Sequence, residues 1–194
     1  VRKDALFVLG KDDPARRSAQ TAAYRIAEAL ALLLHPICPF TAEEVWEALP
    51  GHEGQTPALA TWDDLRLASL SDGEHAAWGR LLDVRAAFVS ALEPLRRDGV
   101  VGTSAQARAE VEKTAALESD LATAGIDAAR FAELLIVPEV VFTAPRAEGE
   151  AALPAVSAHA ADGTKCPRCW QVRRDGDETG LCGRCRGILG TAAA

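Results

Sequence analysis

Four cysteines near the end of the chain stand in two matched C-x-x-C pairs. Cys166 and Cys169 lie in "KCPRCW", Cys182 and Cys185 in "LCGRC", with 12 residues between the pairs. Thiols at this spacing can bind metal, form disulfides or do redox chemistry. Zinc favours four soft thiolates at tetrahedral corners, and each C-x-x-C turn offers two sulfurs to one ion. Two disulfides would need an oxidising compartment, and nothing in the sequence points to export. A thioredoxin-like redox site uses a single C-x-x-C at a helix start. The spacing therefore predicts one structural Zn²⁺ held by all four cysteines. Pro167, Gly183 and the turn-rich connector "RDGDETG" suit such a ribbon. A module this small lacks a core of its own, so the metal supplies its folding energy. The fifth cysteine, Cys38 in "PICPF", reads as a buried packing residue.

No catalytic chemistry is visible elsewhere. Four thiolates leave a metal no open coordination position. His35, His52, His75 and His159 are scattered, and read as single surface or helix-end side chains. There is no glycine-rich phosphate loop and no G-x-S-x-G. The net charge of −7 argues against a nucleic-acid partner at first sight. It hides an asymmetry, because Lys165 to Gly190 carries six basic and three acidic residues. A tetrathiolate zinc cluster would itself bring −2, leaving the ribbon with a local scatter of arginines rather than a strong field.

The elements that must hold these residues are mostly helical, as the alanine-rich composition suggests. Asp13 and Pro14 mark a helix start, and Pro36 and Pro39 its end. Tyr24, Ala27, Ala31 and Leu34 form one apolar stripe and Ile26, Leu30 and Leu33 a second, so a wide buried face is expected. Thr41 and Glu44 match a capping box with Phe40 and Val45 at the staple positions, predicting a helix from Ala42 to about Leu49. Residues 51–73 read as a surface loop anchored by Trp62. A long helix is expected from about Glu74 to Arg97, with Trp78, Leu81, Leu82, Phe88, Val89, Leu92 and Leu95 on its apolar face and Gly99 closing it. Beyond it, "AQARAEV" suits a strand, "AALESDLATAG" and "DAARFAEL" short helices, and "LLIVPEVVF" a β-branched run. The expected architecture is mainly α. A helical bundle, truncated at its N-terminus, spans residues 1–99, a small α/β junction 100–143, a linker with room for one short strand 144–164, a zinc ribbon 165–190 and a tail 191–194. With neither an initiator methionine nor an export leader, the chain reads as a fragment of a longer cytosolic protein. No apolar run reaches the roughly 20 residues of a membrane helix.

"RRSAQTAAYRIAEALALLLHPICPFTAEEVWEALPG" (Arg16 to Gly51) resembles the anticodon-binding helical domain of class I aminoacyl-tRNA synthetases. Its core is similar to the P-x-x-P-F-T-A-E-E-x-W block shared by the isoleucyl, valyl and leucyl enzymes. "VRKDALF", "VVGTSAQARAEV" and the terminal "KCPRCW…LCGRC" resemble the isoleucyl branch of bacterial type. The chain departs from that pattern in a shorter connector between the cysteine pairs, in Ala58 where histidine is frequent, and in Cys38 for an aliphatic residue. The resemblance implies an enzyme that joins isoleucine to its tRNA using ATP. The catalytic and editing domains, and the ATP site with them, lie outside this chain. The piece itself is then expected to bind and position tRNA as a monomer, with the rest of the synthetase and isoleucine tRNA as partners.

Unpaired anticodon bases stack on aromatic and guanidinium planes. Trp170 is a candidate platform, or else a cover packed over the zinc knuckle. Arg168, Arg173, Arg174 and Arg184 are candidates for backbone contact, of which one or two are expected to serve and the rest to be solvated surface. Arg16, Arg17, Arg96 and Arg97 are candidates for stem phosphates, against the plainer reading of solvated helix surface. Trp46, Trp62 and Trp78 read as bundle core. The competing function is a zinc-ribbon docking or scaffold module without anticodon specificity.

Overall fold

The computed structural model describes residues 3–61, 69–146 and 153–192. The chain divides into two compact units, residues 1–69 and 70–194. The long helix belongs to the second of these units. Trp62 lies outside the described residues.

In the first unit a π-helical turn, Asp4–Val8, packs on helix α1, Pro14–Leu34. The start of α1 is as expected: Pro14 occupies the first turn and the Asp13 carboxylate accepts from the Ala15 N–H at 2.8 Å. Helix α2 spans Pro39–Ala48 and begins earlier than the capping-box pattern suggests. Proline at the first helical position has its φ preset and needs no N–H partner, so Pro39 starts the helix and Thr41 falls inside it. Cys38 is the cap residue without a capping side-chain bond, and it is exposed, not a packing residue. Phe40 is 85% exposed, so no staple forms with Val45.

The wide buried face expected of α1 is not what this unit buries. Ala29, Ala31 and Leu32 are covered, the last two clustering with Trp46, while Ile26, Leu30, Leu33 and Leu34 are exposed. The covered strip faces α2 and the short 3₁₀ turn Pro57–Leu59, which are narrow partners. His52 is no surface histidine. Its ring centroid lies 4.1 Å from that of Trp46, and its Nε2 is 3.1 Å from Glu28 Oε1.

The second unit is built on α3, Asp72–Arg97. Ser71 and Glu74 form a reciprocal capping box, and Gly99 at φ +71° follows the last turn as predicted. Its buried face is Ala77, Leu81, Val84, Phe88 and Leu92, a strict helical stripe that leaves Leu82 half exposed against expectation. This stripe packs on a three-stranded sheet made of β1 (Ala107–Glu112), β2 (Val140–Thr143) and β3 (Val156–Ala160), in the order β2-β1-β3. Strands β1 and β2 are parallel, with Ala109 opposite Val140, and are joined through α4 (Ala115–Thr123) and α5 (Ala128–Leu135). Small inward residues Ala107 and Ala109 let the sheet approach Phe88 and Phe131 closely.

One expectation changes here. The half of "LLIVPEVVF" before Pro138 is not β-structure, because Leu134 and Leu135 end α5, Ile136 reverses the chain at φ +63°, and the strand begins only at Val140. The short strand expected within the linker is β3, antiparallel to β1 with Ala109 opposite Ala158. Glu112 fastens the chain around it: its buried carboxylate accepts from the backbone N–H of Arg146 and, at 2.9 Å, of Ala155. Trp46 is buried and Trp78 half buried, as their apolar patterns suggest. Among the described residues no helix is long and apolar enough to cross a membrane.

Two measurements test this packing. Phe88→Ala is expected to destabilise the chain by about 3–5 kcal/mol in urea unfolding, whereas Leu82→Ala changes it by less than about 1 kcal/mol. The Arg146 and Ala155 N–H groups hold the Glu112 carboxyl below its ordinary 4.5, with Arg146's charge adding to them against burial. A depressed folded-state pKa gives stability that is present above about 4.5 and lost as pH falls through the folded value. Glu112→Gln is therefore expected to flatten the acid limb of the stability–pH curve.

Candidate metal centre and ribbon surface

The chain leaves β3 through Gly163 and forms a two-stranded hairpin, β4 (Thr164–Lys165) and β5 (Val172–Arg173). The first C-x-x-C turn is the tip of this hairpin. Its backbone closes through the Trp170 N–H to the Cys166 carbonyl at 2.9 Å and the Cys166 N–H to the Gln171 carbonyl at 2.9 Å. Gly163 sits at φ +120°, where a Cβ would lie 2.1 Å from the Arg173 carbonyl oxygen. Only glycine lets the hairpin close here.

The second pair opens α6, Gly183–Ala192. Asp177 organises the connector between the pairs. Its Oδ1 accepts from the Thr179 N–H, the Thr179 hydroxyl and the Leu181 N–H, an Asx-type turn. These bonds, the hydroxyl's first among them, hold its carboxyl below the ordinary range. Asp175 accepts from the Gly183 N–H at 2.9 Å, and Arg186 ties the Asp175 and Leu181 carbonyls together. The sequence pattern does not single out Gly163, Asp175, Asp177 or Arg186, although the D-G-D-E-T-G run carries the turn signal.

All four cysteines are buried, and their sulfurs lie within 4.8 Å of one another. Cys169 Sγ and Cys182 Sγ are 3.8 Å apart. A disulfide needs about 2.05 Å, and all five cysteines are free. A tetrahedron with metal–sulfur bonds of about 2.3 Å has edges of about 3.8 Å. The donor set is all sulfur, it converges, and it fits one metal ion of zinc's preference.

The electrostatics say why a cation belongs there. Burial pushes the Cys166 thiol up, but N–H groups of Cys169, Cys182 and Arg168 outweigh it and bring the pKa down to about 6. Burial pushes Cys185 up to about 12 despite its hydrogen bond from Arg168. Cys169 is likewise raised by burial, against the Gln171 N–H and the Arg184 side chain. Hydrogen bonds favour the thiolate of Cys166 and burial the thiol of Cys169 and Cys185, a burial cost that a bound cation would offset.

Of the sequence-predicted contact residues, Arg16 and Arg17 lie in the first unit and the others in the second. Trp170, next to the second ligand, is 56% exposed, so it does not serve as a buried miniature core. It adopts φ +67°, a left-handed conformation costly for a side chain this bulky. Arg173 donates to Gln171 Oε1 at 2.7 Å, and exposed Arg174 pairs with Asp162. Arg168 and Arg184 turn to the sulfurs of Cys185 and Cys169. Elsewhere, Arg16 donates to the Leu9 carbonyl at 3.0 Å, and Arg96 pairs with Glu93 at 2.9 Å. Arg17 and Arg97 are exposed on α1 and α3.

A helical unit, a helix-backed sheet and a ribbon with four converging cysteines make up the described residues. Residues 2–112 match the family model of the anticodon-binding domain of tRNA ligase, and the chain belongs to that family. It is 39% identical over 199 residues to the isoleucine–tRNA ligase of Halorhodospira halophila, an alignment covering 95% of this chain and 21% of the relative. The corresponding enzyme of Neisseria meningitidis serogroup C is 38% identical over 98% of this chain, and that of Aromatoleum aromaticum 37% over 95%. The chain spans about a fifth of the length of these relatives.

Glycine replacements test the ribbon geometry directly. Gly163→Ala is expected to open the hairpin and destabilise the metal-loaded ribbon by more than about 1 kcal/mol. Gly187→Ala, where an added Cβ meets nothing within 4 Å on α6, is expected to be neutral or stabilising by up to about 1 kcal/mol. Thermal melting with and without a chelator reads both.

Proposed function

We propose that the chain is the tRNA-binding part of an isoleucine–tRNA ligase. In this reading it holds the anticodon stem-loop of isoleucine tRNA while a catalytic domain elsewhere in the enzyme carries out ATP-dependent aminoacylation. The observation that carries the reading is the alignment with isoleucine–tRNA ligases over 95–98% of the chain, ribbon included, beside the anticodon-binding family match. One structural Zn²⁺ holds the ribbon, through Cys166, Cys169, Cys182 and Cys185. The protein works as a monomer in the cytoplasm, with the rest of the synthetase chain and isoleucine tRNA as its partners.

The ribbon supplies the chemistry that reading needs. Trp170 offers a solvent-facing indole held at a fixed angle by the knuckle, suited to stacking on an unpaired base. Arg173 and Arg174 follow at the end of the same hairpin, and their guanidinium groups suit contact with the adjoining phosphates. Arg16, Arg17, Arg96 and Arg97 are secondary candidates for stem phosphates, and Arg17 and Arg97 are the more open of them. Arg168 and Arg184 lie within the cluster, with less freedom to reach out.

Fluorescence anisotropy with isoleucine and anticodon-swapped stem-loops tests this. Trp170→Ala is expected to lower affinity for the cognate loop by about 1–3 kcal/mol. Replacing Arg173 and Arg174 with Gln is expected to reduce the slope of log K against log salt by about 0.7–0.9 for each phosphate no longer neutralised. Equal affinity for both loops in zinc-loaded protein would favour a docking or scaffold module, a role that the net charge of −7 suits.

A further inference from the structure

Both cysteine pairs carry arginine at the same place, as C-P-R-C and C-G-R-C, so Arg168 and Arg184 immediately precede Cys169 and Cys185. Each side chain reaches across to the opposite turn. Arg168 crosses to the second pair, its Nη1 donating to Cys185 Sγ at 3.7 Å. Arg184 crosses to the first pair, its side chain donating to Cys169. The exchange is reciprocal: each arginine reaches the second cysteine of the opposite pair. Both side chains are half buried, unlike exposed Arg174 and Arg186.

The geometry points to Arg168 and Arg184 as a matched pair of positioning residues that clamp the two knuckles across the metal and neutralise the tetrathiolate cluster. Four thiolates and one divalent ion leave two negative charges in a buried place, which is costly unless compensated. Two guanidinium groups supply that compensation, and each hydrogen bond draws charge from a sulfur and orients it. The same bonds link the hairpin to α6, so the clamp joins chain segments that are otherwise held mainly by the metal. This assignment does not depend on the tRNA reading.

Outer-shell partners of metal ligands are typically worth 10–100-fold in metal affinity. The test is the rate and affinity of zinc transfer from the full chain to a chromogenic chelator, for Arg168→Gln, Arg184→Gln and the two Arg→Lys variants. Each Gln variant is expected to bind zinc at least about tenfold more weakly and to release it faster. Lys is expected to recover part of the loss, because it keeps the charge, while Arg174→Gln, a cation removed from the same ribbon, leaves both unchanged. The cobalt-loaded protein adds a second readout. The Gln variants are expected to shift its sulfur-to-cobalt absorption band while the far-UV spectrum keeps its folded shape. Wild-type retention and an unmoved band in both Gln variants would overturn the assignment. So would an Arg174→Gln loss of equal size, which would reduce the effect to net charge. If a Gln variant does not fold, the Lys variants decide: zinc retention no better than in a charge-neutral, folded Arg→Met variant overturns it.

Discussion

The ribbon depends on four sulfurs being brought to one point. Residues 164–192 contribute little apolar surface beyond the cysteines themselves, which are the most completely buried side chains there. Two strands of two residues each cannot stabilise a hairpin in water. Nor can a ten-residue helix stand alone. Every other local device serves the convergence of the sulfurs. Gly163 lets the strands close, Asp177 folds the connector, Asp175 and Arg186 seat the start of α6, and the knuckle N–H groups lower Cys166. The exposed Trp170 is a by-product of the same turn, since its left-handed backbone is fixed by the two ligands before it.

The rest of the second unit solves a more ordinary problem. Helix α3 covers one side of a small sheet whose central strand gives Ala107, Ala109 and Val111 to the core, and the aromatic rings of Phe88, Phe131 and Phe142 fill the space those small residues leave. The Arg80–Asp120 pair, with Asp120 buried, and the Glu112 carboxylate fasten α4 and the returning strand to this core. A rigid body of this kind is what a binding ribbon requires if its contacts are to be placed to within an ångström. The first unit shows a different balance, with its apolar side chains only partly covered and a Glu28–His52–Trp46 cluster at its centre.

How much of this was legible in the sequence varies with how local its cause is. The two cysteine turns, the Asp13–Pro14 start, the position of α3 and its Gly99 stop were readable, because each is decided within four or five residues. The place of strand β3 within the linker was not legible in "VSAHA", whose side chains carry no strong β preference; pairing with β1 makes it a strand. The exposure of Ile26 and Leu30 was illegible too, since periodicity names a face but not whether anything covers it. Helix α2 misled because two start signals overlap, and Pro39 prevailed over the Thr41 box. The turn of Arg168 and Arg184 toward sulfur was written in the repeated C-x-R-C, but the sign of a charge does not say whether it faces RNA or metal. The family itself was legible from the P-x-x-P-F-T-A-E-E-x-W block, a matter of resemblance and not of physics.

The central claim is that a metal-held knuckle presents the RNA-contacting surface. Hydrogen–deuterium exchange of the zinc-loaded chain, with and without saturating isoleucine anticodon stem-loop, tests it most directly. The account predicts that RNA slows exchange across residues 164–174, that strands β1 and β2 are unaffected, and that removing zinc abolishes the protection. Saturating RNA that leaves 164–174 unprotected while the metal is bound would contradict it.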